Sequence, residues 1–365
     1  MREFHPQDLD DVALGAALLG TGGGGDPYIG KLMAQEAIRK HGPVRVMELS
    51  ELDDDALVVP VAMMGAPTVM LEKLPSGTEA TSAFQALEAY LGRKIDAVLC
   101  GEAGGLNSTI PFVVAAENNL PLVDADGMGR AFPELQMVTF TLEGVEATPL
   151  TMADDKGNAA LMNTVNNHWT ERLARSLTID MGGASLIAFY AMDGATAKRS
   201  AIAGTVGLAA DIGRVIRQAR RDKQPAIEAA RKLLGGYELF SGKITDIDRR
   251  TEGGFARGTA KLDGVDAFSG KSFEIEFQNE FLIAREAGGT VLCTTPDLIT
   301  LLDADDGEPV TTESLRFGFR VVALGIPSPA RWRTEEGLEL VGPRYFGYDT
   351  DFKPVEAQHS SGGSA

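Results

Sequence analysis

Residues 96–135, DAVLCGEAGGLNSTIPFVVAAENNLPLVDADGMGRAFPEL, read as a strand, a helix and a second strand in quick succession. Residues 95–100 and 120–124 are short apolar runs, and 109–118 between them has helical spacing. Such a unit builds layered α/β sheets, because a parallel strand is reached only through a crossover. Both strand ends open into loops dense in Gly, carboxylate, Asn and Arg. In open α/β sheets ligands bind beyond the carboxyl ends of the strands, so these loops are the first place to look for chemistry.

The flanking pattern extends the same architecture. Leu9, Val12, Ala13, Ala16 and Leu19 recur at helical spacing after Asp8, a candidate N-cap, until Gly20 opens the loop GTGGGGDPY. Asp26 and Pro27 then read as the cap and first position of a second helix that closes near His41 and Gly42. Residues 57–61 form a strand that Met64-Gly65-Ala66-Pro67 cannot continue, and 77–91 a helix. The order βαβαβ predicts a layered, largely parallel sheet. Residues 163–176 lead into a helix capped by Asn166 or Asn167, and 185–192 alternate as a strand. Residues 205–234 make one or two helices broken around Pro225, and 236–325 are short strand-like segments between Gly, Asp and Thr turns. We therefore expect an α/β domain over 1–176 and a β-rich domain over 177–357 with a helical segment near 205–234. The small, polar residues 358–365 are expected to be a disordered tail.

A chain of 365 residues is long enough for two such cores. Its net charge of −18 repels phosphate backbones and anionic lipid, and no Lys/Arg run offsets it, so neither nucleic acid nor membrane is an expected partner. With no long apolar stretch and no signal-peptide pattern, the expectation is a cytoplasmic protein. Cys100 and Cys293, far apart at apparent strand ends, are expected as reduced, semi-buried thiols.

Three loops carry the candidate site residues. The glycines Gly22, Gly23, Gly24 and Gly25, followed by Asp26, leave backbone N–H groups open to an anion or developing oxyanion at a helix start. GDPYIGK, 25–31, falls short of a Walker A loop: Leu32 replaces Ser/Thr, Pro27 lacks an N–H and no strand precedes it. Glu102 lies just past a strand, with Asn107 or Ser108 capping the following helix. Asp124 and Asp126, two apart in extended chain, point the same way, with Arg130 and Glu134 beyond them. Paired carboxylates separate into acid and base or hold a divalent metal. No HxH, HExxH or CxxC occurs, so there is no standard zinc signature, and metal dependence stays open. Of four histidines only His168 is considered for chemistry, and a surface position at a helix start explains it as well.

LGTGGGGDPY, GEAGGLNS and VDADGMGRAFPELQM, with PDLITLLDADDGEPV and GPRYFGY later in the chain, resemble the S-methyl thiohydantoin desulfurase family, a former family of unknown function grouped with hydantoin-utilisation proteins. The resemblance covers nearly the whole chain. It implies an N-terminal three-layer α/β sandwich and a C-terminal β-barrel-like domain. It also implies hydrolysis of a small hydantoin-type ring, with water replacing the methylthio group. In that reaction Asp124 or Glu102 is expected as base, Asp126 or Glu134 as acid or metal ligand, Arg130 as substrate anchor, and the glycine loop as holder of a substrate carboxylate or carbonyl. The expected partner is a small heterocyclic substrate, and the protein is expected to be a homo-oligomer. Two other classes remain: a non-catalytic subunit of a hydantoinase or oxoprolinase-like complex, and an ATP-dependent ring hydrolase.

Overall fold

Buried on both faces, the AVLC run of Ala97–Cys100 forms the centre of the first sheet, as expected of a strand flanked by parallel neighbours. This computed structural model describes residues 1–65, 69 and 75–359. The strands of the first sheet are β1 (Arg2–Phe4), β2 (Val44–Glu48), β3 (Leu57–Gly65), β4 (Ala97–Cys100), β5 (Leu122–Asp126), β6 (Leu150–Ala153), β7 (Ala159–Met162) and β8 (Ala184–Ala188). They lie in the order β1-β2-β5-β4-β3-β8-β6-β7. β2, β5, β4 and β3 run parallel, and antiparallel strands complete both sides. Two short strands, β9 (Met192–Asp193) and β10 (Ile202–Ala203), pair with β3 and β5.

β3 runs on through Gly65, longer than the apolar run 57–61 implies. Ala66 and Pro67, expected to end it, lie outside the described residues. Pro60 has no N–H to donate. It is tolerated because it sits where the antiparallel partner changes from β9, at Val58, to β8, at Val61. The helix Ile110–Asn118 begins with Pro111 in its first turn and ends at Asn119 with φ 53, which turns the chain back into β5. Its apolar residues and those of Leu9–Leu19 and Tyr28–His41 join β2, β3 and β4 in one core, while the opposite face of the sheet packs into a second. The largely parallel α/β arrangement expected from the sequence is present.

The position expected for the domain boundary, Ser176, falls inside the helix Asn167–Asp180, after which β8 returns to the first sheet. Asn166 caps that helix by accepting from the Trp169 amide at 3.0 Å. The helices Thr205–Arg221 and Ala226–Leu234 are separate, broken at Pro225 as the sequence indicates. The first of them packs on Leu9–Leu19 closely enough that a Cβ on Gly15 would fall 1.8 Å from the Ala209 carbonyl oxygen.

The second sheet is wholly antiparallel. Its strands are β11 (Tyr237–Glu252), β12 (Phe255–Gly264), β13 (Ser272–Gln278), β14 (Glu280–Glu286), β15 (Val291–Thr294), β16 (Leu298–Asp303), β17 (Pro309–Val310) and β18 (Arg320–Ile326). Their order is β15-β14-β13-β12-β11-β18-β16-β17. The barrel-like expectation is corrected here: no closed barrel forms among the described residues, and β15 and β17 end an open sheet. Irregular registers at 238/240 and 244/246 of β11 bend the sheet, and β14 packs against β16 without extending the ladder to it. The expected tail is also corrected at its start, because Gln358 and His359 close the short helix Val355–His359; residues 360–365 lie outside the described residues.

Candidate functional site

The loops after β4 and β5 meet the C-terminal half of β3 and the start of β14 around one pocket. Its walls include Gly24, Met63, Glu102, Asn107, Glu134, Arg175, Asn279 and Glu280, with an apolar side from Ala62, Met64, Ile187, Phe189 and Phe132. The strand carboxyl ends thus supply one wall of the pocket, and the second sheet supplies another.

Glu102 and Glu280 dominate its electrostatics. Both are buried, and each has one carboxyl oxygen, Oε2, without a hydrogen-bond partner. Glu280 Oε1 accepts from the Gly24 amide at 3.2 Å. Glu102 Oε1 accepts from Asn107 Nδ2, whose amide also clamps β3 by accepting from Met63 N at 2.5 Å and donating to Met63 O at 3.2 Å. Burial, and next the Glu280 charge, push the Glu102 carboxyl well above the ordinary carboxylate range. Burial pushes Glu280 up to about 8, against the pull of the Arg130 charge and the Gly24 amide. At neutral pH the pocket therefore holds carboxyl groups ready to donate a proton.

The glycine loop holds this wall in place through close contact. A Cβ on Gly23 would fall 2.0 Å from Glu280 Oε1. The Gly24 carbonyl accepts from Leu106 N at 3.0 Å, tying the loop to the turn that carries Asn107. Thr21 and Asn279 adopt φ 50 and 58, a costly region for a β-branched residue such as Thr. Phe281 N donates to Thr21 O at 2.7 Å, and Thr312 Oγ1 lies 3.0 Å from Gly22 O and 2.9 Å from Asn279 O, sharing its one hydrogen between them. Gly23→Ala is expected to displace the flexible Glu280 carboxylate rather than unfold the chain. Turnover should fall by about 10²-fold with a nearly unchanged thermal midpoint; equal loss of activity and folded protein would refute this.

Four of the residues singled out in the sequence, Gly24, Glu102, Asn107 and Glu134, line the pocket. Gly23 acts from behind it, and Gly22 packs on the Phe281 ring. Gly25 accepts from Leu106 N at 3.2 Å, and exposed Asp26 accepts from Tyr28 N at 2.8 Å; the helix starts at Tyr28 with Pro27 at its cap position, one residue later than the Asp26 cap read from the sequence. Asn107 does not cap the following helix, because its side chain is committed to Met63 and Glu102. Asp124 is half-buried and accepts from Gly207 N at 2.9 Å in the first turn of Thr205–Arg221, and burial raises its carboxyl. Asp126 is fully buried, accepts from Met128 N and Gly129 N, and is raised by burial to about 7. Neither lines the pocket. His168 is exposed, and Lys31 of the Walker-like run pairs with Asp10 at 3.1 Å. Burial pushes the Cys100 thiol up, followed by the Asp126 and Asp124 charges, so it stays protonated; both cysteines are free and buried.

Arg130 lies outside the pocket, with all five guanidinium hydrogens used inside the protein. Nε donates to Ala131 O, Nη1 to Pro296 O and Asp297 O, and Nη2 to Thr21 Oγ1 and Phe281 O, at 2.8 to 3.3 Å. It joins the two sheets and has no donor left for a substrate. The cation on the pocket wall is Arg175, whose Nε donates to Glu171 at 2.6 Å and whose guanidinium lies 4.2 Å from the Phe255 ring centre. GPRYFGY reaches the same wall, with Tyr345 Oη donating to Glu134 at 2.7 Å.

Sequence reasoning missed Glu280, Asn279 and Arg175. A signal for the first two exists: Gln278-Asn279-Glu280 interrupts the apolar alternation of SFEIEF and FLIA, and all three are buried. Arg175 has no such signal in a helix with other arginines. Among the described residues no three or more His, Cys, Asp or Glu gather as a metal site, and no helix is long and apolar enough to cross a membrane.

Relatives agree with this architecture. The S-Me-THD-like N-terminal domain model matches residues 7–164 and the S-Me-THD-like C-terminal domain model residues 165–355. The crystal structure of a protein from Chromobacterium violaceum superposes with a TM-score of 0.81 at 25% identity, covering 97% of this chain and 100% of that one. None of the curated proteins matches. With both domain models matched in tandem across the fold just described, the chain belongs to the S-Me-THD-like family.

Proposed function

We propose that this protein is a hydrolase of a small hydantoin-type ring, converting an S-methyl thiohydantoin and water to a hydantoin and methanethiol. The observation that carries the reading is the pair of buried carboxyl groups, Glu102 and Glu280, which line one pocket and each have one oxygen without a hydrogen-bond partner. Water oxygen bonds to the ring carbon that bears sulfur, and the ring nitrogen takes a proton. The C–S bond of the tetrahedral adduct then breaks, the sulfur leaves with a proton as methanethiol, and a carbonyl remains. Glu102, held neutral by burial and oriented by Asn107, donates to the ring nitrogen. Glu280, in its ionised form, accepts the water proton, and the Gly24 amide stabilises its charge. The family match and the pocket lined by convergent carboxyl groups support an enzyme over a non-catalytic subunit.

The test incubates the purified chain with a panel of S-methyl thiohydantoins and hydantoins, with and without chelator. Methanethiol is followed with a thiol reagent and the ring by NMR. Equimolar methanethiol and hydantoin are expected. Ring opening without methanethiol would support a hydantoinase-type reaction instead, and no turnover of any ring would sink the enzyme reading.

A further inference from the structure

β7 pairs only with β6 among the described residues, leaving its other backbone edge free. Free edges are normally blunted by Lys, Pro or a bulge, because an unpaired row of N–H and C=O groups templates another strand. β7 is short, at four residues, but among them it carries no Lys, Pro or bulge. Residues 157–169, GNAALMNTVNNHW, contain no Asp, Glu, Lys or Arg, in a chain with 34 basic and 52 acidic residues. Among its exposed polar residues the same stretch presents large apolar side chains: Leu161 is 43%, Val165 81% and Trp169 43% accessible, and Leu173 follows one turn after Trp169. Tyr90, also exposed, bonds Asn163 through its hydroxyl, and the Arg172 guanidinium lies 5.0 Å from the Trp169 ring centre. Tyr, Trp and Arg are the side chains that dominate binding energy at protein interfaces.

We propose that this edge and the exposed start of the helix Asn167–Asp180 form a two-fold interface between two copies of the chain. Charge decides for a second copy. Two molecules of net charge −18 repel, and they meet at least cost where neither presents a charged side chain along the strand. Antiparallel pairing of β7 with itself is isologous, so the two-fold axis passes between one residue of β7 and the same residue of the other copy, and it joins the two first sheets into one.

Sedimentation of the full chain from about 1 to 100 µM tests this. Wild type is expected to dimerise. Leu161→Lys, which charges the edge, and Trp169→Glu, on the helix, are each expected to weaken association on the order of tenfold or more while leaving the circular dichroism spectrum unchanged. Both side chains are exposed, so the folded monomer should tolerate either change. Added NaCl should leave the dimer intact or strengthen it by screening the like charges. A wild-type monomer at the highest concentration, a dimer that survives either substitution, or a dimer that salt dissociates would overturn the proposal.

Discussion

Glu280→Gln should lower kcat by about 10²- to 10⁴-fold, the usual contribution of a positioned proton-transfer group, while leaving the fold intact. Gln keeps the shape and the acceptor for the Gly24 amide but cannot take a proton from water. For wild type, kcat/KM should rise with pH as Glu280 ionises and level off above about 8. The same substitution should change how stability depends on pH. The folded-state carboxyl sits near 8, whereas an unfolded Glu titrates near 4.3, so between those values the folded protein binds the extra proton. That stabilisation is complete below the lower value and is lost as pH rises through the upper one. Wild type should therefore lose more stability than the variant between pH 5 and pH 9, by on the order of a few kcal/mol. Urea unfolding at the two pH values reads this difference directly. Equal losses in both proteins, or a variant with full turnover, would remove Glu280 from the proposed chemistry.

Arg130→Met should have the largest effect on stability, a loss of about 3–5 kcal/mol. The substitution leaves four backbone carbonyls and the Thr21 hydroxyl without their buried donor. Apart from the neighbouring Ala131 carbonyl, these acceptors belong to the glycine loop, β14 and the segment Pro296-Asp297, so the loss should also loosen one sheet from the other. Denaturant unfolding is expected to shift to lower urea. An unchanged midpoint with a raised KM would instead make Arg130 the substrate anchor that its place in the sequence suggested.

These two side chains show where local pattern stops being informative. Glu102, which lines the pocket, stood out in the sequence because a carboxylate directly after a buried apolar strand, beside two glycines, has no packing reason to be there. Asp126 had the same signature, but its oxygens turn back to the amides of Met128 and Gly129, so a site-like sequence became a closed turn. Arg130 sits in the most distinctive motif of the chain and serves to hold the two halves together. Glu280 lies more than a hundred residues from any of these and reaches the pocket only because Asn279 redirects the chain at the start of β14.

Periodicity and punctuation were enough to place β3, β4, β5 and the helices around them, because each rests on contacts between near neighbours: Asn166 capping its helix, Pro225 dividing two helices, Gly20 stopping the first; β1, β2, β6 and β7 were not read from the sequence. The open edge of the second sheet and the pairing of Glu102 with Glu280 belong to tertiary structure. Both depend on how two separately formed sheets pack, and the energies that set that packing come from residues whose separation along the chain carries no periodic signal.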